Sequence, residues 1–214
     1  MNQLIDTENV NQRSADWYEI RVGKVTASRI KDVMAKTKTG YGASRKNYMA
    51  DIICERLTGI KTEGYTNAAM QHGIDTEAEA RQAYEIETFQ AVIECGFYIA
   101  PDIADSGASP DGLISDDGLI EIKCPSTATH IDTLLSGTID DGYIKQMQWQ
   151  MYCTGRKWCD FVSYDNRLPE NLRLFIKRVE RDDKLIEEIK TEVVKFLAEV
   201  DDTLKRLIGL KEAA

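Results

Sequence analysis

Asp111, Glu121 and Lys123 lie in a short stretch whose pattern would bring two carboxylates and one ammonium group together. This stretch, residues 109–125, reads Ser-Pro-Asp-Gly-Leu-Ile-Ser-Asp-Asp-Gly-Leu-Ile-Glu-Ile-Lys-Cys-Pro. Two neighbouring carboxylates raise each other's pKa unless a cation sits between them. Because Mg²⁺ and Mn²⁺ prefer oxygen ligands, the pattern predicts a divalent-metal site. Such an ion activates water and neutralises charge on a phosphate, and Lys123 could position or deprotonate that water.

A β-hairpin is the element that must position these side chains. Apolar pairs at 113–114 and 119–120 flank Asp116-Asp117-Gly118, and a triplet ending in Gly suits a three-residue loop closed by a left-handed residue. This loop would pair 115 with 119, 113 with 121 and 111 with 123. Since side chains alternate along a strand, the two acids and the lysine would share one face. The alternative is that they are ordinary polar residues on a solvent-facing hairpin, because short motifs often match by accident.

Length and composition favour a single globular domain rather than a membrane or disulfide-rich protein. The chain has 214 residues, 43% of them hydrophobic, which is enough for a full core. We expect a flexible N-terminus over 1–13 and a single domain over 14–210. We find no membrane-spanning apolar run and no signal peptide, and the five cysteines contain no Cys-x-x-Cys pair. These features predict a cytoplasmic protein with reduced cysteines and no membrane partner.

The net charge of −9 argues against an extended basic surface for nucleic acid. A local basic patch can still face phosphates while the outside stays acidic. Residues 36–47 form such a cluster, because they contain Lys36, Lys38 and Arg45 and no acid. This loop could follow a DNA backbone, or it could be a solvated mobile loop.

Arg21 and Ser28 are a second candidate for phosphate contact. Ser28 follows Thr26 and Ala27 at the predicted start of a helix, where free backbone N–H groups, a hydroxyl and a guanidinium can hold an anion. The alternative roles are helix capping for Ser28 and a salt bridge for Arg21.

The pattern of elements predicts an α/β fold with a mixed central sheet flanked by helices. Glu77 lies on a predicted helix over 67–88 and could face inward as an extra acid. The amphipathic helix over 141–153 carries three glutamines, and buried amides need partners, so an amide pointing into a polar site is credible. The other predicted helices are 48–57, 127–135 and 182–207, and the other strands are near 91–99, 158–164 and 172–179.

Taken together, these motifs resemble the PD-(D/E)xK nuclease superfamily and, within it, the YqaJ or bacteriophage lambda exonuclease family. The resemblance covers about residues 14–205 and implies a restriction-endonuclease-like core. Any one motif is weak, but five in the right order are strong. They are Trp17…Arg21-x-Gly23…Thr26-Ala27-Ser28, Gly73…Glu77, Ser109-Pro110-Asp111-Gly112, Glu121-Ile122-Lys123-Cys124-Pro125 and Gln146-x-Gln148…Met151.

The resemblance assigns roles to individual residues. Asp111 and Glu121 would bind the metal ions together with the Ile122 carbonyl, and Glu77 would hold a second ion. Lys123 would orient or activate the attacking water. Two side chains of the 141–153 helix would support the site: Tyr143 and Gln146.

The resemblance also implies DNA contacts. Arg21 and Ser28 would hold a 5′-phosphate, which favours the anion-binding interpretation of this pair. The basic loop would contact DNA through Lys36, Lys38 or Arg45, although the loop is shorter than in the best-known family member.

Members of this family digest one strand of double-stranded DNA processively, 5′→3′, with Mg²⁺. They leave a 3′ single strand for a single-strand annealing protein in phage-type recombination, and they form ring-shaped homotrimers. The resemblance therefore implies a phage- or prophage-encoded exonuclease with two Mg²⁺ ions per site, for which Mn²⁺ can substitute. A ring with a basic channel and an acidic rim would reconcile DNA binding with the net charge of −9. The alternatives are a structure-specific or restriction-like endonuclease, which would nick closed circles, and a non-catalytic DNA-binding module.

Overall fold

The computed structural model describes residues 7–62 and 68–212. The helices in this part of the chain are α1 (Ala15–Ile20), α2 (Ile30–Val33), α3 (Ala43–Thr58), α4 (Ala68–Thr88), α5 (Thr127–Ser136), α6 (Asp141–Thr154) and α7 (Asp183–Glu212). The strands are β1 (Val25–Thr26), β2 (Lys36–Thr37), β3 (Gly40–Tyr41), β4 (Val92–Ile93), β5 (Tyr98–Ala100), β6 (Ile103–Ala108), β7 (Gly112–Ile114), β8 (Gly118–Lys123), β9 (Trp158–Tyr164) and β10 (Leu174–Glu180).

A five-stranded mixed sheet with the order β10-β9-β8-β7-β4 carries the hairpin. β8 runs parallel to β9, and the other neighbouring pairs are antiparallel. Helices cover both faces of β8: α4 packs through Tyr84 on the side of Ile120, and α6 packs through Met151 on the side of Leu119. The predicted mixed sheet flanked by helices is therefore confirmed. One face of β8 looks toward α4, and the other, which carries Glu121, looks toward α6.

A second, three-stranded sheet with the order β1-β6-β5 packs with α2, α3, α6 and α7 around the largest apolar cluster. The predicted strand near 91–99 is in fact two strands, because β4 joins the five-stranded sheet and β5 joins the three-stranded one. β6 is missing from the sequence-based prediction. Its sequence, Ile-Ala-Asp-Ser-Gly-Ala, has low β-propensity, and its pairing with β1 and β5 is what makes it a strand.

The hairpin forms, but its predicted register is wrong by two residues. The observed pairs are 112 with 120, 113 with 119 and 114 with 118, so Ser115 starts the loop with φ 45°. Gly118 is a strand residue that pairs with Ile114. A Cβ at this position would lie 2.1 Å from the Trp158 ring, so the close packing requires glycine. Arg156 holds the turn from outside, since its Nη1 donates to the Ser115 and Gly118 carbonyls, each at 2.8 Å. A shift of two residues leaves every side chain on its predicted face.

Residues 7–13, which we expected to be loose, make specific hydrogen bonds to the body of the protein. The Gly96 and Phe97 N–H groups donate to the Glu8 and Thr7 carbonyls at 2.7 and 2.6 Å. Gln12 Nε2 donates to the Pro110 carbonyl at 2.7 Å. The N-terminal segment therefore lies directly beside the candidate acid Asp111. None of the helices in the described ranges is both long and apolar enough to cross a bilayer.

Candidate active site

The structure brings Asp111, Glu121 and Lys123 together at the end of the hairpin. Glu121 is only 1% exposed and forms a salt bridge with Lys123. Asp111 leaves the hairpin ladder with its N–H donating to the Ile120 carbonyl at 3.2 Å, while its Oδ2 accepts from the Ile122 N–H at 2.7 Å. The paired positions end at 112 with 120, so Asp111 does not lie opposite Lys123 as predicted. The charge of Glu121 nevertheless acts on Asp111, so the two carboxylates are close neighbours.

Two glutamines of α6 hold the Glu121 carboxylate. Gln146 Nε2 donates to Oε1 and Gln150 Nε2 donates to Oε2, both at 2.6 Å. Gln148 points elsewhere, because its amide bonds to Glu180 and Asp182 at the start of α7. Gln150 is a site residue that the sequence analysis did not assign. The signal was its i,i+4 spacing from Gln146, which places both amides on one face of the helix.

Tyr143 contacts the site through its ring. Lys123 Nζ lies 5.0 Å from the ring centroid, within the range of a cation–π interaction. The same ring stacks on Phe161 with centroids 5.7 Å apart. Tyr143 thus lies against the lysine ammonium group, and its role in supporting the site stays a prediction.

Burial and mutual repulsion control the charges of the cluster. Burial, and then the charge of Glu121, raise the pKa of Asp111 well above its usual value, although Lys123 partly opposes this. Burial tends to lower the pKa of Lys123, but the charges of Glu121 and Asp111 outweigh it, so that the pKa is raised. Lys123 is therefore an ammonium group at neutral pH in the metal-free protein. In that form it can orient water and stabilise negative charge.

Glu77 lies on α4 and faces the same region as Asp111. Its charge contributes to the raised pKa of Asp111. Arg81 donates to Glu77 Oε1 at 3.1 Å, and Arg13 donates to Oε2. These groups surround a cavity of about 190 Å³. The cavity is lined by Gln12, Arg13, Ile74, Glu77, Ala78, Arg81, Glu94 and Asp111.

The chemistry of Asp111 and Glu121 fits a divalent cation. A hard cation would stabilise two neighbouring carboxylates, of which Asp111 has a raised pKa, and oxygen donors suit Mg²⁺ or Mn²⁺. Within residues 7–62 and 68–212, no three His, Cys, Asp or Glu side chains form a ready-made metal site. Glu77, the third expected acid, is bound to two arginines. Ile122, whose carbonyl is an expected ligand, fixes Asp111 through its N–H.

Comparison with known proteins identifies the family of the chain. Residues 16–157 match the family described as the YqaJ-like viral recombinase domain. The chain belongs to the YqaJ family. An alkaline exonuclease from Laribacter hongkongensis is 54% identical, with a TM-score of 0.87 over 94% of this chain and 100% of that one. The same exonuclease in complex with dAMP gives 54% identity and a TM-score of 0.88 over the same shares.

A more distant structure shows the same fold. A phage-related exonuclease from Haemophilus somnus 129PT is 19% identical, with a TM-score of 0.70 over 86% of this chain and 96% of that one. Comparison with curated protein sequences gave no significant match. The predicted membership of the YqaJ and lambda exonuclease family and the PD-(D/E)xK fold are thus both confirmed.

The expected phosphate-binding pair of this YqaJ-family chain has one unsatisfied guanidinium. Arg21 stacks on Trp17, with its Cζ 3.6 Å from the ring centroid. Burial lowers the pKa of Arg21 to about 10, and its Nε has no hydrogen-bond partner among the described residues. Ser28 is exposed, with its hydroxyl 3.4 Å from that of Thr26. A guanidinium N–H without a partner is available to an anion, and the phosphate-binding role of Arg21 stays a prediction.

The basic loop supplies fewer free cations than we expected. Arg45 is 2% exposed, and it donates to the Val33 carbonyl at 2.5 Å and to Glu199 at 3.0 Å. The expectation that Arg45 contacts DNA is therefore wrong, because α7 packs over the guanidinium and supplies its counter-charge. Lys36 pairs with Glu192 at 2.8 Å, and Lys38 is exposed between β2 and β3.

Replacing Gln150 tests the role of the amides that hold Glu121. We expect Gln150→Ala to lower nuclease activity by about 10–100-fold, the usual effect of removing a group that orients a metal ligand. It leaves one buried carboxylate oxygen without its donor, and this also lowers stability by roughly 1–3 kcal/mol. Gln148→Ala is the matched control. It removes a buried amide of the same helix that is bonded to Glu180 and Asp182, so it should destabilise the protein and leave the rate per folded molecule unchanged. Equal losses of activity in the two variants would contradict the role of Gln150.

Proposed function

We propose that this protein is a divalent-metal-dependent DNA exonuclease that digests one strand of double-stranded DNA in the 5′→3′ direction. The observation that carries the proposal is the cluster of Asp111, Lys123 and the buried Glu121 at the end of the β7–β8 hairpin. Family membership and 54% identity to an alkaline exonuclease support DNA exonuclease chemistry in particular. The complex of that exonuclease with dAMP supports a deoxynucleotide-type product.

The residues of the cluster divide the work of hydrolysis. Asp111 and Glu121 would hold a divalent ion, which lowers the pKa of a bound water and neutralises charge on the phosphate. Gln146 and Gln150 fix the Glu121 carboxylate, so that it need not reorganise during turnover. The Lys123 ammonium group orients the attacking water and stabilises charge that develops in the transition state.

Several finer features belong to the same proposal. We propose Mg²⁺ as the ion, with Mn²⁺ able to substitute, and a second ion that Glu77 would join after leaving one of its arginines. The protein would act processively as a ring-shaped homotrimer and pass its 3′ strand to a single-strand annealing protein. An acidic rim around a basic channel would accommodate the net charge of −9.

Arg21 provides a test of end recognition. If its unpaired guanidinium binds a terminal phosphate, Arg21→Ala should reduce the preference for 5′-phosphorylated over 5′-hydroxyl ends by about tenfold. The measurement is the ratio of the initial rates on the two substrates. Arg29→Ala is a suitable control, because this nearby arginine is already paired with Asp32 and Asp51. An unchanged ratio in Arg21→Ala would assign Arg21 a structural role over Trp17.

The function as a whole is tested by measuring cleavage of three substrates: linear DNA with 5′-phosphates, linear DNA without them, and covalently closed circular DNA. Each is incubated in Mg²⁺, in Mn²⁺ and in EDTA. We expect degradation of linear duplexes only, dependence on a divalent ion, and a remaining 3′ single strand. Nicking of closed circles would instead support the endonuclease alternative. Binding without cleavage would support the non-catalytic alternative.

A further inference from the structure

We propose that Arg13 is a phosphate-binding residue of this site. In the metal-free protein it pairs with Glu77, and it contacts the phosphodiester of the cleaved strand once a divalent ion draws the Glu77 carboxylate away. This inference rests on the nuclease function proposed above. It adds a DNA contact from the N-terminal segment. Arg13 lies before the first of the five motifs on which the family resemblance rests.

The backbone around Arg13 is fixed in an unusual conformation. Arg13 has φ 68°, in the left-handed region that non-glycine residues seldom adopt. Gln12 on one side donates to the Cys95 and Pro110 carbonyls at 2.9 and 2.7 Å. Ser14 on the other side caps α1 by accepting from the Trp17 N–H. Neighbours on both sides therefore hold this conformation, which directs the Arg13 side chain toward Glu77.

Arg13 and Asp111 line the same cavity of about 190 Å³. The reacting phosphodiester must lie beside Asp111, because the ion held by Asp111 and Glu121 would contact it. The Arg13 side chain is 45% exposed, so a ligand in the cavity can reach the guanidinium. Gln12, bonded to the Pro110 carbonyl, fixes the distance between the two backbones.

Charge balance explains why Arg13 would change partners. Both oxygens of Glu77 are occupied, one by Arg81 and the other by Arg13. Arg81 is 16% exposed and is also bound to Glu94, so it is the less mobile of the two. A cation that attracts Glu77 would therefore release Arg13 first. A guanidinium beside a phosphate forms charge-assisted, often bidentate hydrogen bonds.

Arg13 and Arg21 would serve different phosphates. Arg21 stacks on Trp17, whose Nε1 donates to Ser109 Oγ at 2.9 Å, whereas Gln12 next to Arg13 bonds to Pro110. These contacts reach consecutive residues that lead into Asp111, but of the two arginines it is Arg13 that lines the cavity beside Asp111. Loss of Arg13 should weaken binding equally for phosphorylated and unphosphorylated ends, whereas loss of Arg21 should not.

The experiment measures the dissociation constant of a blunt duplex in Ca²⁺ and in EDTA, under conditions in which the duplex is recovered intact. We expect Arg13→Ala to weaken binding about tenfold in Ca²⁺ and at most about twofold in EDTA, where Arg13 is paired with Glu77. In Ca²⁺, the slope of the logarithm of the affinity against the logarithm of the salt concentration should fall by roughly one, which corresponds to the loss of one phosphate contact. Arg13→Lys, which keeps the charge but not the bidentate geometry, should lie between the two proteins.

Arg206→Ala is the matched control, because it removes the same charge from an exposed position on α7 and should change binding less than twofold. Thermal melting confirms that each variant is folded. Unchanged binding of Arg13→Ala in Ca²⁺, a loss equal to that of Arg206→Ala, or equal losses in Ca²⁺ and EDTA would each overturn the inference. The proposed function fails separately, if the wild-type protein does not cleave linear DNA in Mg²⁺.

Discussion

Lys123→Ala is expected to lower the rate of DNA cleavage by at least about a hundredfold while the protein stays folded. The Lys123 ammonium group forms a salt bridge with Glu121 and lies 5.0 Å from the centroid of the Tyr143 ring. No other Lys or Arg in the described ranges forms a salt bridge with Glu121. In the proposed mechanism, loss of Lys123 would leave the attacking water without an orienting group and the charge that develops in the transition state without a counter-charge.

The fold should survive this substitution for a local reason. Gln146 and Gln150 still donate to both oxygens of Glu121, so the buried carboxylate keeps two of its three partners. Lys157→Ala is the matched control, since Lys157 is an exposed lysine that pairs with Asp117 on the hairpin loop. The measurements are single-turnover cleavage of a linear duplex in Mg²⁺ and the melting temperature of each variant. Near-normal cleavage by Lys123→Ala would remove Lys123 from the mechanism.

The sequence alone could predict the acid cluster because the prediction depended only on alternation. Side chains at 111, 121 and 123 share a face in any register that differs from the predicted one by an even number of residues. The two-residue error in the register therefore did not separate them. The register itself could not be predicted. It is set by Arg156 and Trp158, which follow the loop by about forty residues and act through tertiary contacts.

The charged residues show the same limit. A cluster of basic residues was visible at 36–47, but the burial of Arg45 depends on Glu199 in α7, more than 150 residues away. Likewise, Glu77 was recognisable as an extra acid, whereas its partner Arg13 lies in a segment expected to be loose. Residue type and spacing thus indicated which groups could take part in chemistry. Which of them are free for a ligand was decided by long-range ion pairs that no local pattern encodes.

The residues around the cluster suggest why its geometry is so heavily supported. Glu121 has three partners, and Asp111 is fixed by the Ile122 N–H, with Pro110 before it held by Gln12. Groups that repel one another keep a fixed position only if their surroundings are rigid. Backbone and amide contacts here hold two carboxylates side by side in the folded protein, at a cost in stability that a bound cation would relieve.

Asp111→Asn should therefore abolish activity and stabilise the metal-free protein at the same time. Asn keeps an oxygen that can accept from the Ile122 N–H, but it removes the negative charge next to Glu121. Because Asp111 is an expected metal ligand, the substitution should lower the rate of cleavage by more than about a hundredfold. Loss of a residue that only orients a ligand lowers activity by at most about that much. As a lost buried charge it should raise the melting temperature in EDTA at neutral pH. About 1 kcal/mol corresponds to roughly 2–4 °C in a domain of this size.

The pH dependence of this stabilisation follows from the raised pKa of Asp111. A carboxyl whose pKa is higher in the folded than in the unfolded protein costs no stability below the unfolded value. The cost grows as pH rises from the unfolded toward the folded pKa, and it is complete above the folded pKa. The gain in melting temperature of Asp111→Asn should hence be largest at neutral to alkaline pH and should vanish in acid. Asp116→Asn, on the exposed hairpin loop, should show no such trend.

Addition of Mg²⁺ completes the test, because a ligand that binds only the folded state raises its stability. Mg²⁺ should raise the melting temperature of the wild-type protein and of Asp116→Asn, and it should leave Asp111→Asn unchanged. Mg²⁺ should therefore reduce or reverse the difference by which the melting temperature of Asp111→Asn exceeds that of the wild-type protein. An Mg²⁺-dependent shift of normal size in Asp111→Asn, or wild-type cleavage by that variant, would show that the ion binds without Asp111.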